Sequence, residues 1–203
     1  MTGADYDVAA LYVDTARGPY ARIDGVACWG WARRDGRQRD LFAPTRNAQD
    51  YAGPAPVVAH PPCGPWGMFA WNYKGGEGSR ECGLRAVEQV RAYGGVLEHP
   101  VQSKLWTAAG LPKPSEGRDS YGGRTVRVDQ CDWGHRARKP TWLYAVGGVM
   151  PRLPPPRRPS HVMVRLLSNG NDRPELPKAE RHLTPPAFAA WLVTWARSAR
   201  RDA

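Results

Sequence analysis

Short apolar runs separated by turns dominate the first half of the chain. Residues 8–13 and 56–60 each have the length of a buried strand and end at a turn or a proline. Apolar residues at helical spacing from Glu81 to Tyr93 precede another strand that begins at Val96. This order of strand, loop, helix and strand predicts an α/β domain of the Rossmann type. Its sheet is expected to be mainly parallel, with functional loops at the carboxyl ends of the strands.

Two further strands and a closing helix are expected in the second half. The alternating segment 125–130 predicts an edge strand, and residues 141–146 predict another strand. Five prolines between Pro151 and Pro159 predict a stiff, polyproline-like connector. Apolar residues on one face of the segment 185–201 predict an amphipathic C-terminal helix. The polar segment 33–39 predicts an exposed loop.

Composition narrows the class of protein. A chain of 203 residues, 41% of them hydrophobic, is long enough to bury one core, so a single domain over residues 1–203 is expected. Lys and Arg number 29 against 19 Asp and Glu, a net charge of +10, which favours a polyanion such as DNA as partner but also fits a surface of solvated arginines. No apolar run approaches the roughly 18 residues of a membrane span. We therefore expect a cytoplasmic protein with no membrane partner, and its four cysteines are expected to be reduced.

Three clusters beside the predicted strands contain residues able to do chemistry. They are His-Pro-Pro-Cys-Gly-Pro-Trp-Gly at 60–67, Leu-Glu-His-Pro at 97–100, and the segment from Gln130 to Thr141. A thiol in a proline-fixed loop, such as that of Cys63, becomes a nucleophile where neighbouring charges lower its pKa. A carboxyl group on the next strand, that of Glu98, serves as proton donor or binds a ring nitrogen where burial raises its pKa.

Together these clusters resemble the DNA cytosine-5 methyltransferase family, especially its short phage-type members. Residues 61–63, Pro-Pro-Cys, are similar to the family's nucleophile loop, and residues 98–100, Glu-His-Pro, to its Glu-Asn motif. Gln130, Arg136 and Arg138 are similar to its Gln-x-Arg-x-Arg segment. The resemblance extends over about residues 55–145.

The resemblance implies modification of a pyrimidine base in DNA. In that family the cysteine, here Cys63, attacks C6 of an extruded cytosine while the glutamate, here Glu98, binds N3, which activates C5 toward a methyl or other one-carbon group. The family's methyl donor is S-adenosylmethionine. Its Phe-x-Gly-x-Gly cofactor loop is not present, and residues 12–19 occupy that place, with Asp14 and Gly18 as the cofactor-binding candidates. The substrate- or DNA-binding candidates are Pro62, Trp66, His99, Gln130, Arg136, Arg138, Lys139 and Thr141.

Each of these features also has a plainer interpretation. Cys63 can be a small buried apolar residue, as Cys28 and Cys82 are expected to be, and Glu98 can accept local backbone N–H groups. The basic residues 136–139 can form a solvated face. Tryptophan is more often a core residue than a base-stacking platform, and this applies to Trp66, Trp71, Trp133 and Trp142. A non-catalytic DNA-binding protein that keeps a base pocket and a basic face is therefore the alternative function.

A metal site is a third interpretation of the same clusters. His60 and Cys63, and Cys131 and His135, have the short spacings of zinc ligands. A closed site of all four would be structural and would remove Cys63 from catalysis. A site with a histidine left free would instead indicate a zinc-dependent nucleobase enzyme.

Overall fold

Six strands form one sheet in the computed structural model, which describes residues 6–31, 46–68, 70–74, 78–164 and 172–199. The strands are β1 (Val8–Leu11), β2 (Val26–Trp29), β3 (Val57–Ala59), β4 (Gly95–Pro100), β5 (Arg124–Asp129) and β6 (Pro140–Val146). Their order is β2-β1-β3-β4-β6-β5, and β1 to β4 are parallel while β6 is antiparallel to both of its neighbours. The expected α/β class with a mostly parallel sheet is confirmed.

The helices are few, and two of the three were expected. They are α1 (Ser79–Tyr93), α2 (Lys104–Ala108) and α3 (Pro186–Arg197). Helix α2 is five residues long, too short for a periodic signal in the sequence, and strand β2 is half-buried over three of its four residues. The polar segment 33–39 lies outside the described residues. Among the described residues, no helix has the length and apolar character needed to cross a bilayer.

The sheet is covered on both faces. Side chains alternate along a strand, so Leu97 of β4 packs in the core beneath α1 whereas its neighbour Val96 packs in the core beneath α3. The same alternation directs Val58 of β3 toward the α3 side. An apolar core therefore packs on each face of the sheet. The carboxyl ends of the strands lie at the edge of both cores, where polar side chains are accommodated.

Strand order and register decide which residues meet at those ends. Strand β2 lies on one side of β1 in the sheet, and β3 lies on the other side, so the strand order reverses at β1. In open α/β sheets, ligands bind in a crevice at such a reversal. Ala59 pairs with Leu97, so the next residues along the two parallel strands, His60 and Glu98, are also side by side. The antiparallel strand β6 begins at the same edge, where Thr141 pairs with Pro100.

Candidate active site

The loop after β3 holds Cys63 at the surface. Cys63 is exposed, and its carbonyl oxygen accepts hydrogen bonds from the backbone N–H groups of Trp66 and Gly67 at 3.0 and 2.9 Å. The Tyr73 ring lies so close to Gly64 that a Cβ there would be 2.2 Å from it. A side chain at position 64 would therefore displace the Tyr73 ring, which packs on this loop. Cys63 is therefore not a buried packing residue, whereas Cys82 is buried and Cys28 is half-buried.

Glu98 lies at the centre of a hydrogen-bonded chain of side chains. Its Oε2 is 3.0 Å from Nδ1 of His60, and its Oε1 accepts a hydrogen bond of 2.8 Å from Nε2 of Gln130. The other ring nitrogen of His60 is 2.6 Å from the hydroxyl of Tyr20. The Glu98 side chain is 12% exposed, so the carboxylate lies close to the surface of the cluster.

Gln130 connects this chain to the start of β6. Its Nε2 also donates to Oγ1 of Thr141 at 3.0 Å, and that hydroxyl donates to the carbonyl oxygen of Lys139. The Oε1 atom of Gln130 is buried and has no hydrogen-bond partner among the described residues. An unpaired buried acceptor costs about 1–3 kcal/mol.

The charge of Glu98 is set by these partners. Burial by itself raises the pKa of the carboxyl group, but the hydrogen bond from His60 and the positive charge of Lys139 lower it to about 2. Glu98 would donate a proton only if burial raised its pKa, and in the free protein the pKa is lowered instead. At neutral pH Glu98 is a carboxylate that accepts hydrogen bonds.

Lys139 and Cys63 complete the cluster. Desolvation by the surrounding loops and the negative charge of Glu98 raise the pKa of the Cys63 thiol, and the positive charge of Lys139 opposes them. The Nζ of Lys139 donates to the carbonyl oxygen of Leu183 at 3.1 Å. The three side chains are thus close enough for their charges to interact, and the thiol is mostly protonated at neutral pH.

This coupling predicts opposite shifts in the reactivity of Cys63. Glu98→Gln removes the negative charge and is expected to lower the pKa of the thiol, so alkylation by iodoacetamide at pH 8 becomes faster. Lys139→Met removes the positive charge and is expected to make it slower. The measurement is the pH dependence of alkylation, followed by mass spectrometry of the peptide that contains Cys63. Arg138→Gln is the control, since Arg138 is paired with Asp129. If the pKa of Cys63 shifted in the same direction in Glu98→Gln and Lys139→Met, the coupling would be contradicted.

The predicted residues Pro62 and His99 support the loop. His99 is buried, with Nδ1 2.7 Å from Oγ of Ser103, and the backbone carbonyls of Pro61 and Pro62 lie beside its ring. Burial lowers the pKa of His99 to about 4, so the ring is neutral at pH 7. Its contacts join the Pro-Pro-Cys loop to the first turn of α2, because the Ser103 hydroxyl also accepts from the backbone N–H of Leu105.

Arg136 and Arg138 do not join the cluster. Arg136 is bound to Glu180 at 2.7 Å and lies beside His161, and Arg138 is bound to Asp129 at 2.9 Å. Both side chains are exposed, and these carboxylates neutralise them. Of the three basic residues in the predicted motif, Lys139 is the one whose charge acts on Glu98 and Cys63.

Most of the predicted tryptophans are packing residues. Trp66 is buried against α1, and Trp133 is buried against Phe188 of α3. Trp142 is half-buried against Trp106. Trp71 differs, since 80% of its surface is exposed in the loop that follows Cys63. Among these four, Trp71 is the side chain free to stack on a base.

Three of the four residues suggested as zinc ligands form other hydrogen bonds. His60 is bonded to Glu98, Cys131 donates to the carbonyl oxygen of Arg157, and His135 is bonded to the backbone of Ala137. Within the described residues, no group of three or more His, Cys, Asp or Glu side chains is arranged to hold a metal ion. The geometry gives no support to the zinc interpretation.

The loop after β1 closes on itself. Asp14 Oδ1 accepts hydrogen bonds from the backbone N–H groups of Ala16 and Arg17 at 3.0 and 2.9 Å. A Cβ at Gly18 would lie 2.5 Å from the carbonyl oxygen of Asp14, so this glycine is required by the turn itself. Because the loop uses its own donors, its described residues do not fit the role of a cradle for S-adenosylmethionine, and no step is assigned to that cofactor.

Tyr20 is the residue of this cluster that no sequence feature indicated. It is buried in a 3-10 turn, Pro19–Arg22, and meets His60 only because β1 and β3 are neighbours. No protein-family model matches the chain, and no curated protein matches it in sequence. The resemblance to DNA cytosine-5 methyltransferases therefore stays a prediction, and the site is interpreted from its own chemistry.

Proposed function

We propose that the protein modifies a cytosine base in DNA through a covalent bond between Sγ of Cys63 and C6 of the ring, transferring a methyl or other one-carbon group to C5. One observation carries the proposal. An exposed thiol and a hydrogen-bonded carboxylate lie at the carboxyl ends of the adjacent strands β3 and β4, within range of each other's charge. Both groups can therefore act on one ring without rearrangement of the sheet.

The electron movements explain why both groups are needed. The thiol of Cys63 gives its proton, through water, to N3 of the base, where the Glu98 carboxylate accepts a hydrogen bond from the N3–H group. The thiolate attacks C6, and the electron pair of the C5–C6 double bond moves to C5. C5 then bonds to the carbon of an electrophilic one-carbon donor, whose leaving group departs with the electrons of its bond. Water takes the proton from C5, the C5–C6 double bond re-forms as the S–C6 bond breaks, and the released thiolate takes back the N3 proton.

The charge of Glu98 favours cytosine over thymine or uracil. An ionised carboxylate has about four acceptor positions, and His60 and Gln130 use two of them. The amino group on C4 of cytosine donates hydrogen bonds to such an acceptor, whereas thymine and uracil present an oxygen there.

Protonation of the base also activates the thiol. The Glu98 charge raises the pKa of Cys63 in the free protein. As N3 gains its proton during the reaction, its positive charge offsets that of the carboxylate, so the thiolate of Cys63 is favoured while the adduct forms.

Fold and charge are consistent with a DNA substrate. The order β2-β1-β3-β4 matches that of doubly wound domains, which bind ligands at the strand reversal, and this supports a Rossmann-type domain. The net charge of +10 favours a polyanion. A base inside a duplex is out of reach of Cys63, so it must be extruded, at a cost of a few kcal/mol.

The test is nucleoside mass spectrometry of DNA from cells that express the protein. Wild-type protein is expected to produce a cytidine derivative with added mass at C5, and Cys63→Ala is expected to produce none. The cells supply the one-carbon donor, so the experiment works whichever donor the protein uses. DNA without any modified pyrimidine would instead support the alternative, a non-catalytic DNA-binding protein.

A further inference from the structure

A long acid-free stretch of the chain carries many positive charges. Between residues 133 and 171 there are seven Lys and Arg and no Asp or Glu. Arg136 and Arg138 reach acids outside this stretch. Arg152, Arg157 and Arg158 are exposed and form no ion pair with any residue in the described part of the chain. Three unneutralised arginines are thus concentrated in residues 151–159, here called the arginine segment.

The backbone of the arginine segment is fixed to the domain at both ends. The Trp191 indole donates to the carbonyl oxygen of Arg152 at 3.1 Å. The backbone N–H of Arg157 donates to Oδ1 of Asp132 at 2.9 Å, and its carbonyl accepts from the Cys131 thiol at 3.4 Å. Five prolines restrict the backbone between and beside these contacts. The backbone is therefore preset while the arginine side chains stay in solvent.

The anchors also set where the arginine segment runs. Cys131 and Asp132 directly follow Gln130, and Gln130 is bonded to Glu98. The Arg157 end of the segment is thus anchored to the turn that also carries Gln130. An extended proline-rich chain covers about 3.1 Å per residue, so Arg152 and Arg158 are up to roughly 19 Å apart, about half a turn of duplex DNA.

We propose that Arg152, Arg157 and Arg158 bind phosphates of the DNA duplex and align it with the active site. The choice of DNA over other polyanions rests on the proposed function. Guanidinium groups bind phosphate in bidentate geometry, and an ordered segment loses little conformational freedom on binding. Because the arginine segment contacts only phosphates, it contributes affinity and alignment without selecting a base sequence.

The test is the salt dependence of duplex binding, measured by fluorescence anisotropy between 50 and 200 mM salt. All proteins carry Cys63→Ala, so binding is measured without covalent capture. The triple variant Arg152→Gln, Arg157→Gln, Arg158→Gln is expected to reduce the slope of log K against log salt by about 2.7, since each phosphate contact contributes about 0.9. The matched control is the triple variant Arg85→Gln, Lys113→Gln, Arg118→Gln, which removes the same number of positive charges from other parts of the surface. It is expected to change the slope by less than about 0.9, the value of one phosphate contact.

Two further measurements separate the possible outcomes. Pro154→Ser, Pro155→Ser, Pro156→Ser keeps every charge and is expected to weaken DNA binding several-fold with little change in slope. The proposal is overturned if the arginine variant has the same salt slope as the parent protein, or if the control variant loses as much slope as the arginine variant. It is also overturned if the protein with wild-type arginines binds phosphatidylserine vesicles but does not bind duplex DNA. Absence of a modified nucleoside would instead contradict the proposed catalysis and leave the slope difference standing.

Discussion

DNA that contains 5-fluorocytosine is expected to form a complex with the protein that survives denaturing electrophoresis, and Cys63→Ala is expected to form none. The reason is the last step of the proposed reaction. Once C5 has taken up a group, fluorine cannot leave as a proton does, so the S–C6 bond does not break. Duplexes of varied sequence, with candidate one-carbon donors, are assayed by gel shift and by mass spectrometry of the cross-linked peptide.

Controls identify the cysteine and the base. Cys28→Ala is expected to keep full trapping, because Cys28 is half-buried beside the core on the α3 side. Cys63→Ala is expected to retain reversible DNA binding. Trapping with 5-fluorouracil DNA is expected to be weaker, because Glu98 faces an oxygen on that base. Persistent absence of a Cys63-dependent adduct with either base would reject covalent catalysis.

Glu98→Gln is expected to slow adduct formation by about 10² or more, or about 2.7 kcal/mol in the barrier. Glutamine retains the size of the side chain, but its amide nitrogen cannot accept a hydrogen bond and its neutral amide cannot balance the charge of a protonated N3. The effect is measured as the single-turnover rate of adduct formation with saturating fluorocytosine DNA.

The same variant separates two roles of Glu98. Loss of its charge is expected to accelerate iodoacetamide alkylation of Cys63 while adduct formation with the base becomes slower. A substitution that only affected the thiol would change both rates in the same direction. Faster reaction with both iodoacetamide and DNA would therefore show that Glu98 does not act on the base.

Local patterns were sufficient for the main elements of the fold. The apolar runs at residues 8–13 and 56–60 and the helical spacing at 81–93 correspond to β1, β3 and α1, because buried strands and amphipathic helices have periods visible in the sequence. Strand β2 was missed because Val26–Trp29 is a four-residue strand with a half-buried pattern. Nothing in the local sequence shows that β6 enters the sheet between β4 and β5, since pairing partners are chosen by long-range packing.

The site divides in a similar way. Cys63 and Glu98 were identified from motifs at strand ends; the parallel register of β3 and β4 places His60 beside Glu98, and the charge of Glu98 acts on the Cys63 thiol in the loop that follows. The importance of Arg136 and Arg138 was predicted from their place in a motif, but acids 44 and nine residues away along the chain neutralise them. Residues 151–159 were predicted only as a stiff connector, because the absence of partners for its arginines is a property of the folded surface.

The sequence by itself determined the α/β class, the net positive charge and the position of Cys63 and Glu98 in clusters at the ends of strands. These depend on residue type and local periodicity, which do not change with tertiary contacts. Only the tertiary structure decided that Glu98 is ionised, that Tyr20 and His60 support it, and which cations remain free. Charge state and pairing depend on distances between residues far apart in the chain, and folding alone sets those distances.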